Sequence, residues 1–202
     1  MATSRIYFSF NGGIMFVLVE NNSITKTLNT SKGITIGENQ YPRAIYTLWS
    51  TAEREAIGIY EVVWDNANFK DQKYYINTDQ SFNFAGGVVT ASYGSATAKA
   101  LADVTVDGDT TPGLKTKHKE NIKNQASGYL TRTDWYVVRK ADAGTAVPSA
   151  ITTHRAAVRT TSNDMEALID ACTTVDELVA LYTYTGDPGS QTRPLGEWPE
   201  EV

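Results

Sequence analysis

The sequence has little of the chemistry on which most catalytic and metal sites depend. Its 202 residues include one cysteine, Cys172, and two histidines, His118 and His154, which are 36 positions apart. One cysteine excludes a disulfide within the chain and a cysteine-rich metal site. The histidines lack the i, i+4 spacing of a helical zinc site. We therefore expect no metal or cofactor, two partly buried structural histidines and an inert, buried Cys172.

Long apolar segments and basic clusters are missing as well. The densest apolar stretch, residues 14–19, has six residues, whereas a membrane-spanning helix needs about 20 and a signal-peptide core roughly 7–15. The 18 Lys and Arg are outnumbered by 23 Asp and Glu, giving a net charge of −5, and no basic block is present to bind phosphates. We expect a protein that binds neither membranes nor nucleic acid and is made in a reducing cytoplasm.

Threonine and aromatic residues are abundant instead. The sequence contains 26 Thr, four Trp and eleven Tyr. Because Trp, Tyr and Arg are enriched at protein–protein hot spots, we expect part of this set to face outward and bind other proteins. For Trp49, Trp64 and Trp135 the alternative is a place in the core. For Trp198, in a tail too polar to bury it locally, docking against another subunit is one of two open alternatives.

The first half of the chain, residues 1–106, has the pattern of a β-rich domain. Short β-branched and aromatic runs are separated by turn residues such as Asn11-Gly12-Gly13 and Asn21-Asn22. These runs lie at residues 5–10, 14–19, 24–28, 34–36, 60–64, 81–84 and 88–93. One short helix is expected within this domain. Ser50 and Glu53 form a capping box that should start it, and Gly58 should end it.

The second half has the pattern of a small helical domain at residues 114–185. It follows a predicted linker, residues 107–113, and precedes an extended tail, residues 186–202. Pro148 is expected to start one helix, Ser162 to cap the next, and Thr174 with Glu177 to cap the last. Residues 135–139 are rich in aromatic and β-branched side chains and predict a short extended or irregular segment. The fold class is therefore α+β.

Four acidic residues of the first half, Glu53, Glu55, Asp65 and Asp71, could pair as the acid and base of a glycoside hydrolase. Helix capping and solvent exposure are the simpler interpretation, because a helix N-terminus favours negative charge. No catalytic residue is assigned, and a carbohydrate-active or carbohydrate-binding module is kept as a further alternative.

Residues 133–159 and 49–58 carry a resemblance to a known group of proteins. The longer segment contains Thr133-Asp134-Trp135, then Arg139, Pro148 and a helix with Arg155 and Arg159. It resembles the C-terminal segment of the tail-fibre assembly proteins, or tail assembly chaperones, of tailed bacteriophages. Trp198-Pro199 is similar to the tails of that group. Residues 49–58, WSTAEREAIG, resemble a motif of β-rich tail proteins of marine and cyanobacterial phages.

The resemblance implies a non-enzymatic structural or interaction protein of a phage tail, associated with fibre or baseplate. It implies synthesis in the host cytoplasm, location in the virion tail, and an oligomeric assembly with other tail proteins. The alternative is a transient fibre-assembly chaperone absent from the virion. The candidate partner-binding residues are Trp135, Arg139, Arg155, Arg159 and Trp198. Arg155 and Arg159, one turn apart, suit a partner's carboxylates or carbonyls, or clamp the preceding loop to their own helix.

Overall fold

Strands predominate in the first half of the chain and helices in the second, which confirms the predicted α+β class. The computed structural model describes residues 14–202; the predicted strand at 5–10 and turn at 11–13 lie outside them. The elements in chain order are β1 (Phe16–Glu20), β2 (Ser23–Thr27), β3 (Ile34–Ile36), β4 (Asn39–Tyr41), α1 (Ile45–Leu48), α2 (Thr51–Ala56), β5 (Ile59–Asp65), β6 (Tyr75–Ile76), β7 (Ser81–Ala85), β8 (Val88–Ser92), β9 (Thr97–Ala98), β10 (Val104–Val106), β11 (Asp109–Thr111), α3 (Leu114–Thr131), α4 (Asp134–Ala143), α5 (Ser149–Ala171) and α6 (Val175–Tyr182).

The described residues divide into two compact units. The strand unit comprises residues 14–70 and 77–97, and the helical unit comprises residues 71–76 and 98–202. Residues 107–113, predicted as the linker between the two halves, lie within the helical unit. They contain the turn and second strand of the hairpin β10–β11. Asp107 and Gly108 have φ values of 51° and 89°, the left-handed conformation that a two-residue hairpin turn needs.

The strand unit is built on a five-stranded sheet in the order β2-β1-β5-β8-β7. Strands β5 and β8 run parallel, and the other neighbours are antiparallel. The turn between β1 and β2 is formed by Asn21 and Asn22, both at positive φ, as the sequence predicts. Strand β1 is buried on both faces, which explains why its sequence is a continuous apolar run. Phe16 and Leu18 join one core cluster, and Val17 and Val19 join another.

Helix α2 starts and ends as its sequence predicts, but the prediction of one short helix is wrong, because α1 precedes it as a second one. The Ser50 hydroxyl accepts a hydrogen bond from the Glu53 amide, and the Glu53 carboxylate accepts one from the Ser50 amide. Gly58 follows the helix at φ 82°. A Cβ at this position would lie 2.6 Å from the Val19 carbonyl oxygen, so only glycine fits both the conformation and the space.

The helical unit is centred on the packing of α3 against α5. The buried positions of α3 recur every fourth residue, at Leu114, His118, Ile122 and Ala126. Pro148 directly precedes α5, and Thr174 and Glu177 form the capping box of α6, both as predicted. Within residues 14–202, no helix is long and apolar enough to span a membrane.

Two local predictions for this unit are wrong. Residues 135–139 are helical, within α4, although their side chains favour strands. Most of residues 139–143 are good helix formers, which favours the helix. Gly144, at φ 68°, ends α4 with a left-handed cap. Ser162 does not cap a helix but lies buried in the middle of α5. The apolar face of α5 continues through it from Val158 to Met165, so no break occurs.

Residues 71–76 belong to the helical unit because their aromatic side chains are buried there. Tyr74 stacks on His118, with ring centroids 5.6 Å apart, and the Tyr75 hydroxyl donates to the Asp176 carboxylate. Residues 186–202, expected to form an extended tail, fold back onto the same unit. Thr185 and Thr192 form a β-bridge, and buried Leu195 donates its amide to the Leu181 carbonyl.

Candidate functional site

Helix α4 is the most exposed helix of the helical unit. None of its ten residues is buried. Trp135 is 52% exposed, Val137 44% and Val138 65%. Most helices in folded proteins gain their stability by burying an apolar face, and a helix this short is marginal in water by itself. The exposed side chains of α4 therefore form a surface that a partner could cover.

Trp135, Tyr136 and Arg139 are packed together on this helix. The Trp135 and Tyr136 ring centroids are 3.8 Å apart, and the Arg139 guanidinium carbon lies 4.7 Å from the first and 5.4 Å from the second. The guanidinium thus makes cation–π contacts that hold it against both rings. Its Nε atom is buried and has no hydrogen-bond partner among the described residues. We call Trp135, Tyr136, Val137, Val138 and Arg139 the α4 surface.

Arg155 clamps the connection between α3 and α4. Its guanidinium donates to the Leu130 carbonyl and the Thr133 hydroxyl, both at 2.7 Å, and lies 2.9 Å from the Asp134 carboxylate. The residue is only 9% exposed. Of the two interpretations that the sequence left open for this arginine, the contacts support the clamp.

Arg159 lies one turn further along α5 and is exposed. It lines a cleft of about 490 Å³ between α3, the start of α4 and α5. The remaining lining residues are Lys123, Ala126, Ser127, Leu130, Thr131, Asp134, Arg155, Ser162, Asn163 and Glu166. We call this the Arg159 cleft.

Trp198 docks within its own chain. Its indole Nε1 donates to the Gln125 side-chain oxygen at 2.8 Å, and its ring centroid lies 5.2 Å from that of Tyr129. Both partners belong to α3, so the helical unit itself holds the tail, and the indole is half-buried. Trp49 and Trp64 pack at the edges of the two cores of the strand unit, which confirms the core interpretation for them.

The sequence-predicted site residues therefore fall into three groups within the helical unit. Trp135 and Arg139 lie on the α4 surface, Arg155 and Arg159 line the cleft, and Trp198 packs on α3. Among the described residues, Trp135 has its cation–π contact with Arg139 of its own helix, and none with the α5 arginines. Sequence reasoning missed Lys123 and Asn163, because cleft residues from different helices have no common sequence pattern.

His118, His154 and Cys172 are all buried, as predicted. His118 lies between the rings of Tyr74 and Tyr182, and its burial, together with the charge of Lys73, lowers its pKa to about 4. Burial raises the pKa of the Cys172 thiol above its ordinary value, which favours the unreactive thiol form. Within the described residues, no three His, Cys, Asp or Glu side chains are grouped as a metal site.

The acidic residues considered for sugar chemistry have local structural contacts. Glu53 caps α2, Asp65 accepts from the Ala67 amide, and Asp71 accepts from the Lys73 amide. Asp71 also belongs to the helical unit, whereas Glu53 and Asp65 belong to the strand unit. These contacts agree with the capping and turn interpretation of the carboxylates.

No protein-family model, curated protein or solved structure matches this chain.

Proposed function

We propose that the chain is a non-enzymatic interaction protein of a bacteriophage tail, associated with fibre or baseplate, and that it binds another tail protein through the α4 surface. The observation that supports binding is that none of the ten residues of α4 is buried. The tail context comes from the resemblance of residues 133–159 and 49–58 to phage tail proteins. The two parts of the proposal are tested separately.

The composition of the α4 surface is that of an interface centre. It combines a tryptophan, a tyrosine and an arginine, the three residue types most enriched at hot spots. Arg139 is held over both rings, so the cluster is already ordered before a partner binds. A preordered surface loses less side-chain entropy on association, which favours tight binding. The two valines add apolar area beside the cluster.

The binding part is tested with Trp135→Ser and Val138→Ser variants of the tagged chain, co-expressed with the fibre and baseplate proteins of the phage that encodes it. Truncation of a hot-spot residue costs about 2 kcal/mol or more, so we expect about 30-fold weaker binding for Trp135→Ser. Val106→Ser is the matched control, because Val106 is 62% exposed on the β10–β11 hairpin and Val138 is 65% exposed on α4. If neither Trp135→Ser nor Val138→Ser binds more weakly than Val106→Ser, the α4 surface is not the interface.

The location part is tested by mass spectrometry of purified phage particles. A tail component is expected at a fixed copy number relative to the major tail proteins. If the chain binds fibre protein in cell extracts but is absent from particles, the proposal of a virion protein fails and the chaperone role replaces it. If it neither binds a tail protein nor occurs in particles, both roles fail.

A further inference from the structure

We propose that the Arg159 cleft binds a carboxylate-bearing segment of a partner protein, with Arg159 as the principal cationic contact. The cleft is a second binding site, separate from the α4 surface. Its assignment rests on the proposed function only in that another protein supplies the carboxylate. The cleft and the α4 surface are tested with different variants, so either one can fail alone.

The charges that line the cleft do not balance. Lys123, Arg155 and Arg159 are cationic, and Asp134 and Glu166 are anionic. Arg155 pairs with Asp134 at 2.9 Å, and Lys123 pairs with Glu166 at 3.4 Å. One positive charge of the lining is therefore left unbalanced.

That charge belongs to Arg159. Within residues 14–202 it has no carboxylate within 4 Å, and its one hydrogen bond is a long one, 3.4 Å, to the Arg155 carbonyl. Arg159 is exposed, so its guanidinium is accessible from solvent at the cleft wall. An exposed guanidinium presents parallel N–H groups that match the two oxygens of a carboxylate.

The rest of the lining favours a singly charged ligand with further polar groups. Asn163 and Thr131 add amide and hydroxyl groups to the lining. Because the lining carries one unbalanced positive charge, a single carboxylate neutralises it, whereas a doubly charged phosphate leaves a net negative charge beside the carboxylates of Asp134 and Glu166. A volume of about 490 Å³ accommodates an acidic side chain with its neighbouring backbone, since ligand sites span about 300–1,000 Å³. An acidic peptide therefore fits the cleft better than inorganic phosphate.

The test is fluorescence anisotropy of the full chain with a fluorescein-labelled, C-terminally amidated hexapeptide of five glycines and one glutamate. Its control peptide has glutamine in place of the glutamate. We expect the glutamate peptide to bind about tenfold more tightly, because a hydrogen bond to a charged group contributes about that factor. The difference should shrink at high salt, which screens an exposed ion pair.

Arg159→Gln should remove this preference, with about tenfold weaker binding of the glutamate peptide. Lys117→Gln is the matched control, because it removes one positive charge from an exposed position of α3 that does not line the cleft. Arg159→Lys keeps the charge and should bind with intermediate affinity, since lysine lacks the planar fork. Trp135→Ser should leave peptide binding unchanged, which separates the cleft from the α4 surface.

Three results would overturn the inference. One is equal binding of the glutamate and glutamine peptides. Another is an equal loss of binding in Arg159→Gln and Lys117→Gln, which would indicate a general effect of net charge. The third is displacement of the peptide by inorganic phosphate at concentrations where acetate has no effect, which would identify a phosphate site.

Discussion

Arg155→Met is the substitution that most directly tests the architecture of the helical unit. The guanidinium joins the end of α3, the Thr133 connection and the first residue of α4 through three contacts of 2.7–2.9 Å. Methionine matches the aliphatic part of the side chain but has no donor. The substitution therefore removes the polar contacts of Arg155 and leaves most of its packing intact.

The expected cost follows from the burial of each contact. A hydrogen bond from a charged donor contributes about 1.5–3 kcal/mol, and Thr133 is buried while Leu130 is half-buried. Thr133 keeps a hydrogen bond to the Leu130 carbonyl, which offsets part of the loss. The side chain of Asp134 is 53% exposed, so its ion pair adds at most about 1 kcal/mol. We expect Arg155→Met to lower the free energy of unfolding by about 3 kcal/mol.

Urea denaturation followed by far-ultraviolet circular dichroism measures this change, and a thermal scan should show Tm lowered by about 10 °C. Arg159→Met is the matched control and should cost less than about 0.5 kcal/mol, because Arg159 is exposed and weakly bonded. Arg155→Lys should fall between wild type and Arg155→Met, since it keeps the charge but not the fork. A loss below about 1 kcal/mol for Arg155→Met, or equal losses at positions 155 and 159, refutes the clamp.

Two further predictions concern the buried histidine and the tail. The folded pKa of His118, about 4, lies below the unfolded value of about 6.5, so unfolded chains bind more protons and stability should fall by about 1–3 kcal/mol as pH drops from 6.5 to 4. The free energy of unfolding of His118→Phe should fall less than that of the wild type between pH 6.5 and pH 4. An equal fall in both proteins would contradict the prediction. Leu195→Ala should destabilise the chain by about 2–4 kcal/mol, because Leu195 is buried; a loss below about 1 kcal/mol in urea denaturation would mean that the tail does not pack as described.

Features whose cause lies within a few residues could be predicted from the sequence. The capping boxes at Ser50 and Thr174 use atoms three residues apart, and both are present. The Asn21-Asn22 turn likewise depends on the left-handed conformations that its own residues tolerate. The strands around it follow from their alternating or continuous apolar patterns.

Predictions failed where a distant contact or a longer pattern decided the outcome. Residues 135–139 have strand-forming side chains, yet they form a helix that Arg155 anchors from α5 at its first residue, Asp134. Ser162 has the composition of a cap, but it occupies a position where the buried face of a 23-residue helix continues. Local propensity is a weak determinant, and tertiary packing overrides it.

The candidate site shows the same division. The sequence singled out Arg155 and Arg159 as a pair, because four positions on a helix place side chains on one face. Only the tertiary structure separates them, since Arg155 is buried against α3 and Arg159 remains exposed in the cleft. Trp198 has polar neighbours in sequence and finds Tyr129 and Gln125 only through folding. The sequence by itself thus determined the fold class, the caps and the residue types available for binding. Which of them are buried, paired or accessible was decided by contacts between residues far apart in the chain.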